Sequence, residues 1–238
     1  MGRSMESVDG QSMMAGTFRM AMQWLRLAID LWGDNSRWMG WNLFLALLPL
    51  GIAWWLFRHR PARSPGSIGW WIIAGIFVVF LPNAPYVLTD LIHLVNDIRY
   101  GDISRWVAVV IVIPQYAAFV LAGFGAYVVS LVWVDGWLRA IGRSRWINLT
   151  EQGLHGLSAV GIYLGRFWRF NTWDLVTQPN TLLDRITNDL AAHRPLLVIG
   201  LTWAILAGLY ALAKPLALGY SLYRQQQKRQ RQQLQQHQ

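Results

Sequence analysis

Four stretches of the chain are apolar, free of charged residues and long enough to form transmembrane helices. They cover residues 39–57, 68–89, 106–134 and 195–213. A helix rises about 1.5 Å per residue and the hydrocarbon core of a bilayer is about 30 Å thick, so roughly 20 such residues cross it. The chain is therefore expected to be a multipass membrane protein.

The overall composition agrees with this class. Hydrophobic residues make up 54% of the 238 residues and charged residues only 14%, whereas soluble domains carry about 25% charged residues. Many of the fifteen Trp residues lie near segment ends, as in the aromatic belts of membrane proteins. The predicted fold is an all-α polytopic membrane helix bundle.

We predict five membrane spans and an N-terminal amphipathic helix that lies on the membrane or crosses it as a sixth. The 29 uncharged residues of 106–134 form one long span, because two passes would need about 17 residues each plus a turn. A bend is expected at Pro114 or at the Gly123/Gly125 pair. The predicted spans are 38–57, 68–85, 106–134, 150–166 and 195–219.

The fourth predicted span is the least apolar and is rich in small residues. Its Gly161 and Gly165 have the GxxxG spacing that lets helix backbones approach closely within a membrane. We expect this helix to pack inside the bundle, or to receive a partner membrane protein through the same glycines.

The remaining segments are assigned by composition. Residues 1–16 are polar and are expected to be a disordered leader, and residues 17–33 carry the amphipathic pattern. Residues 17–223 then form a single membrane-embedded domain. The basic, Gln-rich residues 224–238 form a tail.

The charge of the loops predicts the orientation. Residues 58–67, 135–147 and 224–238 hold ten Lys and Arg, whereas residues 90–105 and 166–194 hold six Arg and six Asp. Short cytoplasmic loops are enriched in Lys and Arg. The first three segments, including the C-terminus, are therefore expected in the cytoplasm.

The absence of Cys excludes disulfides, iron–sulfur clusters and Cys-based zinc sites. A metal would need His, Asp or Glu ligands, and no motif identifies a cofactor, which stays unassigned. The net charge of +9 is spread over short loops and the tail, so the expected partner is the lipid bilayer and not nucleic acid.

Two polar blocks beside the apolar spans are candidates for a site. In FLPNAPYVLTDLIHL (residues 80–94), Asn83 lies between two prolines and is a good N-cap residue, so a new helix is expected to begin there. Asp90, His93 and Asp97 would then fall within about 60° of one helix face. These three are the candidate catalytic residues.

Three interpretations of this face stay open. It could be a solvated face of an interfacial helix, or His93 could pass protons beside a carboxylate. Alternatively, His93, Asp90 and Asp174 could hold a metal ion.

The second block is GRFWRFNTWDL, residues 165–175. Its arginines could satisfy carbonyls at a helix C-terminus, where the dipole favours cations. They could also bind an anion such as a phosphate or carboxylate beside a Trp platform. Together with the first block's amide, the candidate substrate-binding residues are Asn83, Arg166, Arg169, Asn171, Trp173 and Asp174.

His155 lies inside the fourth span. It could hydrogen-bond to a neighbouring helix or act as a ligand, because ionisable groups within membranes are often functional.

The blocks LPNAPY-LTDLIHL and GIYLGRF-RFN-WDL, with WNLFLALLPL at residues 41–50, resemble a family of bacterial integral membrane proteins catalogued as domain of unknown function 1361. The resemblance implies a multipass protein of the bacterial inner membrane with the two blocks as its hallmarks. It implies no activity or substrate.

Three functions stay open for such a chain. The two blocks, both predicted on the non-cytoplasmic side, could bind or process a charged or lipid-linked substrate. The chain could instead be a non-enzymatic accessory or assembly subunit. A small transporter is the third, and paired ionisable groups inside the bundle would favour it.

Overall fold

The computed structural model describes residues 36–59, 67–100, 105–168 and 193–236 and five single positions (19, 22, 26, 33 and 177). Within 220–236 it describes the backbone and the side chain of Gln227 alone. Regular structure in this part of the chain is helical, with no strand. The predicted leader and most of the N-terminal helix lie outside the described residues.

Four helical segments are long and apolar enough to cross a membrane. This supports a membrane helix bundle, and residues 106–134 lie within one continuous helical segment. The helices are α1 (Ser36–Arg58), α2 (Ile68–Phe80), α3 (Asn83–Tyr86), α4 (Leu91–Tyr100), α5 (Arg105–Ala140), α6 (Ile147–Phe167) and α7 (His193–Gln236). The four membrane-capable segments are α1, the run from α2 to α4, α5, and residues Arg194–Gly219 of α7.

The predicted count of five spans is not confirmed, because α6 is not one of the four segments. Its 21 residues could reach about 30 Å, but its composition is more polar. Its buried positions include Leu154, Ala159 and Ile162. One face of α6 therefore packs inside the protein, whereas Leu149 and Leu157 on the helix are exposed.

The run from α2 to α4 is irregular where the prolines occur, but Asn83 is not an N-cap. Pro85 has no N–H to donate to the Leu81 carbonyl, so the Ala84 N–H bonds to Leu81 instead, at 3.1 Å. The Phe80 carbonyl thereby loses its usual donor, and the Asn83 Nδ2 donates to it at 2.9 Å. The amide therefore repairs the helix backbone at the break.

Two glycines allow this broken segment to pack closely. A Cβ at Gly161 of α6 would lie 2.6 Å from side-chain atoms of Pro82, and one at Gly123 of α5 would lie 2.7 Å from Val87. Both distances are far below van der Waals contact, so only glycine fits without rearrangement. Gly161 thus serves a contact within the chain.

Helix α5 departs from α-helical geometry just before Pro114, where a bend was expected. Residues Ala108–Val112 form a π-helical turn, closed by the Ile113 N–H bonding to the Ala108 carbonyl. Proline removes one i to i−4 hydrogen bond, which such a turn accommodates. The helix is regular from Ile113 to Ala140, including Gly123.

The chain forms two compact units. The first comprises Met1–Trp41 and Asp90–Phe119, and the second Asn42–Thr89 and Val120–Gln238. In the first, the Trp38 ring lies 5.7 Å from that of Phe119.

The second unit has an aromatic core. Phe57 of α1 packs against Phe77 of α2 at 5.4 Å and against Trp137 of α5 at 5.5 Å, measured between ring centroids. Trp137 also stacks on Trp70 at 5.1 Å. Trp137 is buried, so it packs inside the unit and not in an aromatic belt at the membrane surface.

Candidate functional site

Three ionisable side chains from three helices meet inside the second unit. The Lys214 Nζ of α7 lies 2.7 Å from the Asp135 Oδ2 of α5 and 2.5 Å from the Glu151 Oε1 of α6. We call these residues the ionic triad. One ammonium group therefore bridges two carboxyl groups.

The triad is largely withdrawn from solvent. The exposed fraction of the side chain is 1% for Asp135, 12% for Glu151 and 21% for Lys214. Arg139 lies one turn along α5, 4.0 Å from the Asp135 Oδ2, but its side chain is 49% exposed. An ion pair this exposed adds little stabilisation, so Lys214 is the principal counter-ion.

Local sequence explains how two of the three residues meet. Asp135 lies near the end of α5 and Glu151 near the start of α6, and a short connection reverses the chain between them. Gly142 supplies the turn with φ of 74°, a left-handed conformation that favours glycine. Lys214 arrives from the distant helix α7.

A polar network continues from the triad along α6. The Tyr210 hydroxyl donates to the Glu151 Oε1 at 2.6 Å, and the Tyr127 hydroxyl hydrogen-bonds to the His155 Nδ1 at 2.7 Å. The His155 and Tyr210 rings lie edge to face, with centroids 5.0 Å apart. The predicted hydrogen bond from His155 to a neighbouring helix is therefore confirmed.

One carboxylate oxygen of the triad has no hydrogen-bond donor. Both Asp135 carboxylate oxygens are buried without a well-formed hydrogen bond in the described part of the chain. The Oδ2 is ion-paired with Lys214, so the Oδ1 is the oxygen without a partner. The Asp135 Oδ2 and the Glu151 Oε1 both contact the Lys214 Nζ, at 2.7 Å and 2.5 Å, so the two carboxyl groups are held close together.

The candidate catalytic residues of the first block belong to the first unit. Asp90 is 2% exposed and ends a 3₁₀ turn, whereas His93 and Asp97 lie on α4. The chain is helical across these positions, as expected, but a 3₁₀ turn precedes α4. The shared face of the three side chains stays a prediction. Because Asp90 is buried, a solvated face describes only His93, whose exposed ring lies 5.1 Å from Trp38.

Asp97 has a specific partner in the same unit. The Tyr116 hydroxyl donates to its Oδ2 at 3.0 Å, and Tyr116 is fully buried. Among the residues described, no group of three or more His, Asp or Glu could hold a metal ion. The proposed metal ligand Asp174 lies outside the described residues.

The second block is only partly described. Arg166 lies in the last turn of α6 and is half-buried, where the helix dipole favours a cation. Arg169, Asn171, Trp173 and Asp174 lie outside the described residues. Anion binding by this block stays a prediction.

Sequence reasoning missed the triad because each member stands alone beside an apolar run. Asp135 is the first charge after the long uncharged stretch 106–134, and Lys214 directly follows the uncharged stretch 195–213 and precedes Pro215. A usable signal was that Glu151 and Lys214, charges of opposite sign, occur in separate predicted spans, where each needs a buried partner.

The family described as "Protein of unknown function (DUF1361)" matches residues 41–207. The chain belongs to this family. The match includes both polar blocks, Asp135, Glu151 and His155, and it ends before Tyr210 and Lys214. No curated protein and no solved structure matches the chain.

Proposed function

We propose that this protein is a proton-linked membrane transporter in which the ionic triad holds one exchangeable proton. The observation that carries the proposal is the convergence of two buried carboxyl groups on one ammonium group, with each residue supplied by a different helix. Such ionisable groups inside a membrane bundle commonly mark ion or proton pathways.

Stabilisation alone explains the triad poorly. Desolvating charged groups costs several kcal/mol per ion, and hydrophobic replacements of a buried ion pair are often neutral or stabilising. A bundle that needed only cohesion could use apolar side chains at these positions. A group whose charge changes during function has to be ionisable.

The charge count favours proton exchange. With both carboxyl groups ionised, the triad carries a net charge of −1, and its carboxylate oxygens lie within about 5 Å of each other, where repulsion is roughly 3 kcal/mol at an effective dielectric constant of about 20. Uptake of one proton removes this repulsion. The Asp135 Oδ1, which no described residue contacts as a donor, is the atom we assign to receive it.

We propose that the part of α7 that carries Lys214 moves relative to the other helices. Pro215 interrupts the hydrogen-bond ladder of α7 at the next residue, and proline is a usual cause of helix kinks. A shift of this segment would separate the ammonium group from the carboxylates and change their tendency to hold a proton.

Proton flux into liposomes tests the proposal. Purified protein is reconstituted with a pH-sensitive dye inside, and a potassium gradient with an ionophore supplies the driving force. We expect wild-type protein to carry protons and Asp135→Asn to abolish the flux. Thr202→Val is the matched control, because the Thr202 hydroxyl donates to the Val198 carbonyl of the same helix and Thr202 is not part of the triad.

Equal flux in wild type and Asp135→Asn would contradict the proposal. If wild-type liposomes acidify no faster than empty ones while the protein remains folded, the triad has a structural role. The accessory-subunit alternative would then be preferred, and co-purification in mild detergent would be the next experiment.

We also propose that α6 is a fifth span. The protein would then lie in a bacterial inner membrane with its C-terminus on the cytoplasmic side. The chain has no Cys, so single-cysteine variants can be labelled without background. A membrane-impermeant maleimide should label Thr177→Cys in intact cells but not Ser144→Cys; both positions are exposed. Labelling of both in intact cells would rule out the span.

A second candidate function concerns the first polar block. Burial of Asp90 and the Tyr116–Asp97 hydrogen bond hold two acidic side chains in place, as a site for a charged or lipid-linked substrate requires. Growth or binding screens with Asp97→Asn and Tyr116→Phe test it. If a ligand binds both variants with the same affinity as wild type, the first polar block is not its binding site.

A further inference from the structure

We propose that the connection between α5 and α6 binds the headgroup of an anionic phospholipid, and that this lipid shares Arg139 with the carboxyl group of Asp135. The proposed lipid surface is exposed and meets the buried triad only through Asp135, and the inference does not depend on proton transport. Three features of the connection support it: its charge, its apolar neighbours and its link to Asp135.

The connection is strongly basic. No acidic residue occurs between Asp135 and Glu151, whereas Arg139, Arg143 and Arg145 all do, and these three side chains are exposed. Guanidinium groups match phosphate oxygens in bidentate hydrogen bonds. The turn at Gly142, with φ of 74°, reverses the chain between the first arginine and the other two.

Apolar side chains beside the arginines distinguish a lipid from a free anion. Trp146 is 44% exposed and Leu149, on the first turn of α6, is 61% exposed. The Arg145 guanidinium lies 5.6 Å from the centre of the Trp146 ring, a cation–π distance that holds the side chain in place. Indole rings favour the headgroup level of a bilayer, so this surface matches a molecule with an anionic head and an apolar tail.

Arg139 connects this surface to the buried triad. Its guanidinium lies 4.0 Å from the Asp135 Oδ2, yet 49% of its side chain is exposed. A lipid phosphate and Asp135 would therefore compete for one cation. The coupling free energy between two contacts that share one cation is the same in both directions. The free energy by which bound lipid weakens the Arg139–Asp135 contact therefore equals the free energy that lipid binding gains when the Asp135 charge is removed.

The test is native mass spectrometry of the full chain in detergent, titrated with phosphatidylglycerol, with phosphatidylcholine as the neutral lipid. We expect tighter binding of phosphatidylglycerol, and a roughly fivefold loss for each of Arg143→Gln and Arg145→Gln, from the usual contribution of one basic residue near an anionic lipid surface. Arg139→Gln should lose less, because the Arg139 guanidinium is shared with Asp135, 4.0 Å away. Asp135→Asn should gain affinity.

The double variant Arg99→Gln/Arg105→Gln is the matched control, since both side chains are exposed and belong to a different part of the chain. It should bind phosphatidylglycerol as wild type does. Equal binding of the two lipids, or an Arg143→Gln/Arg145→Gln variant that binds like wild type, would overturn the site. Displacement of the lipid by equimolar inorganic phosphate would show a free-anion site instead, and unchanged affinity in Asp135→Asn would refute the sharing of Arg139.

Discussion

Replacement of Lys214 by Met should destabilise the protein because it leaves two buried carboxyl groups without their counter-ion. Met keeps an unbranched stem of similar length and removes only the charge. The substitution eliminates the ion pairs that the Lys214 Nζ forms with the Asp135 Oδ2 at 2.7 Å and with the Glu151 Oε1 at 2.5 Å.

The expected loss of stability follows from the burial of the two partners. Removing one member of a buried ion pair costs about 3–5 kcal/mol, because the remaining charge is uncompensated. Asp135 is 1% exposed and Glu151 12%, so neither carboxylate regains full hydration. We expect about 3 kcal/mol, the lower end of this range, because Lys214 itself is 21% exposed.

Neutralising the carboxyl groups as well should restore most of this loss. The triple variant Lys214→Met/Asp135→Asn/Glu151→Gln buries no charge at these positions, so only the smaller cost of burying two neutral amides remains. The deficit of Lys214→Met alone should also shrink between about pH 8 and about pH 5, because protonation removes the uncompensated charges.

The assay is equilibrium unfolding in mixed micelles, followed by circular dichroism as the fraction of sodium dodecyl sulfate rises. Lys214→Arg is the matched control, since it retains a cation. A Lys214→Met variant as stable as wild type at both pH values, or a triple variant less stable than the single one, would refute the reasoning.

Two further substitutions give graded effects in the same unfolding assay. Tyr210→Phe removes the hydrogen bond to Glu151, and a bond to a charged group typically contributes about 1.5–3 kcal/mol; an unchanged midpoint would mean that Tyr210 does not support the carboxylate. Gly161→Ala places a Cβ 2.6 Å from Pro82 and should cost about 1–3 kcal/mol by overpacking, whereas Gly156→Ala enters open space and should be neutral or stabilising. Equal effects of the two alanines would show that the Gly161 contact is not tight.

The membrane helices could be predicted because crossing a bilayer depends on local composition. The uncharged runs at 39–57, 106–134 and 195–213 coincide with α1, α5 and α7. Helix α6 is different, because its polar and small residues are accommodated by neighbours from other parts of the chain. Composition alone could suggest its burial but not whether it crosses the membrane.

Local rules were insufficient at the proline break. Asn83 has the residue type of an N-cap. However, the Ala84 N–H bonds to Leu81, so the Phe80 carbonyl lacks its backbone donor, and the Asn83 side-chain amide donates to it. The same side-chain amide can serve either role. Only the positions of the surrounding carbonyl groups decide which one it takes.

The triad could not be assembled from sequence because its members are distant along the chain. Lys214 and Glu151 are separated by 63 positions, and a lone charge near the end of a span also fits a simple topological role. The candidate residues of the two polar blocks were chosen because they cluster in sequence. The pairing of Asp135, Glu151 and Lys214 depends on how α5, α6 and α7 pack.

Infrared difference spectroscopy of the purified protein during acidification can detect the exchangeable proton of the triad itself. A protonated, buried carboxyl group has a C=O stretching band that a carboxylate lacks. We expect one such band in wild type and in Thr202→Val, and its loss in Asp135→Asn. A wild-type spectrum without this band, or a band that survives in both Asp135→Asn and Glu151→Gln, would contradict an exchangeable proton in the triad.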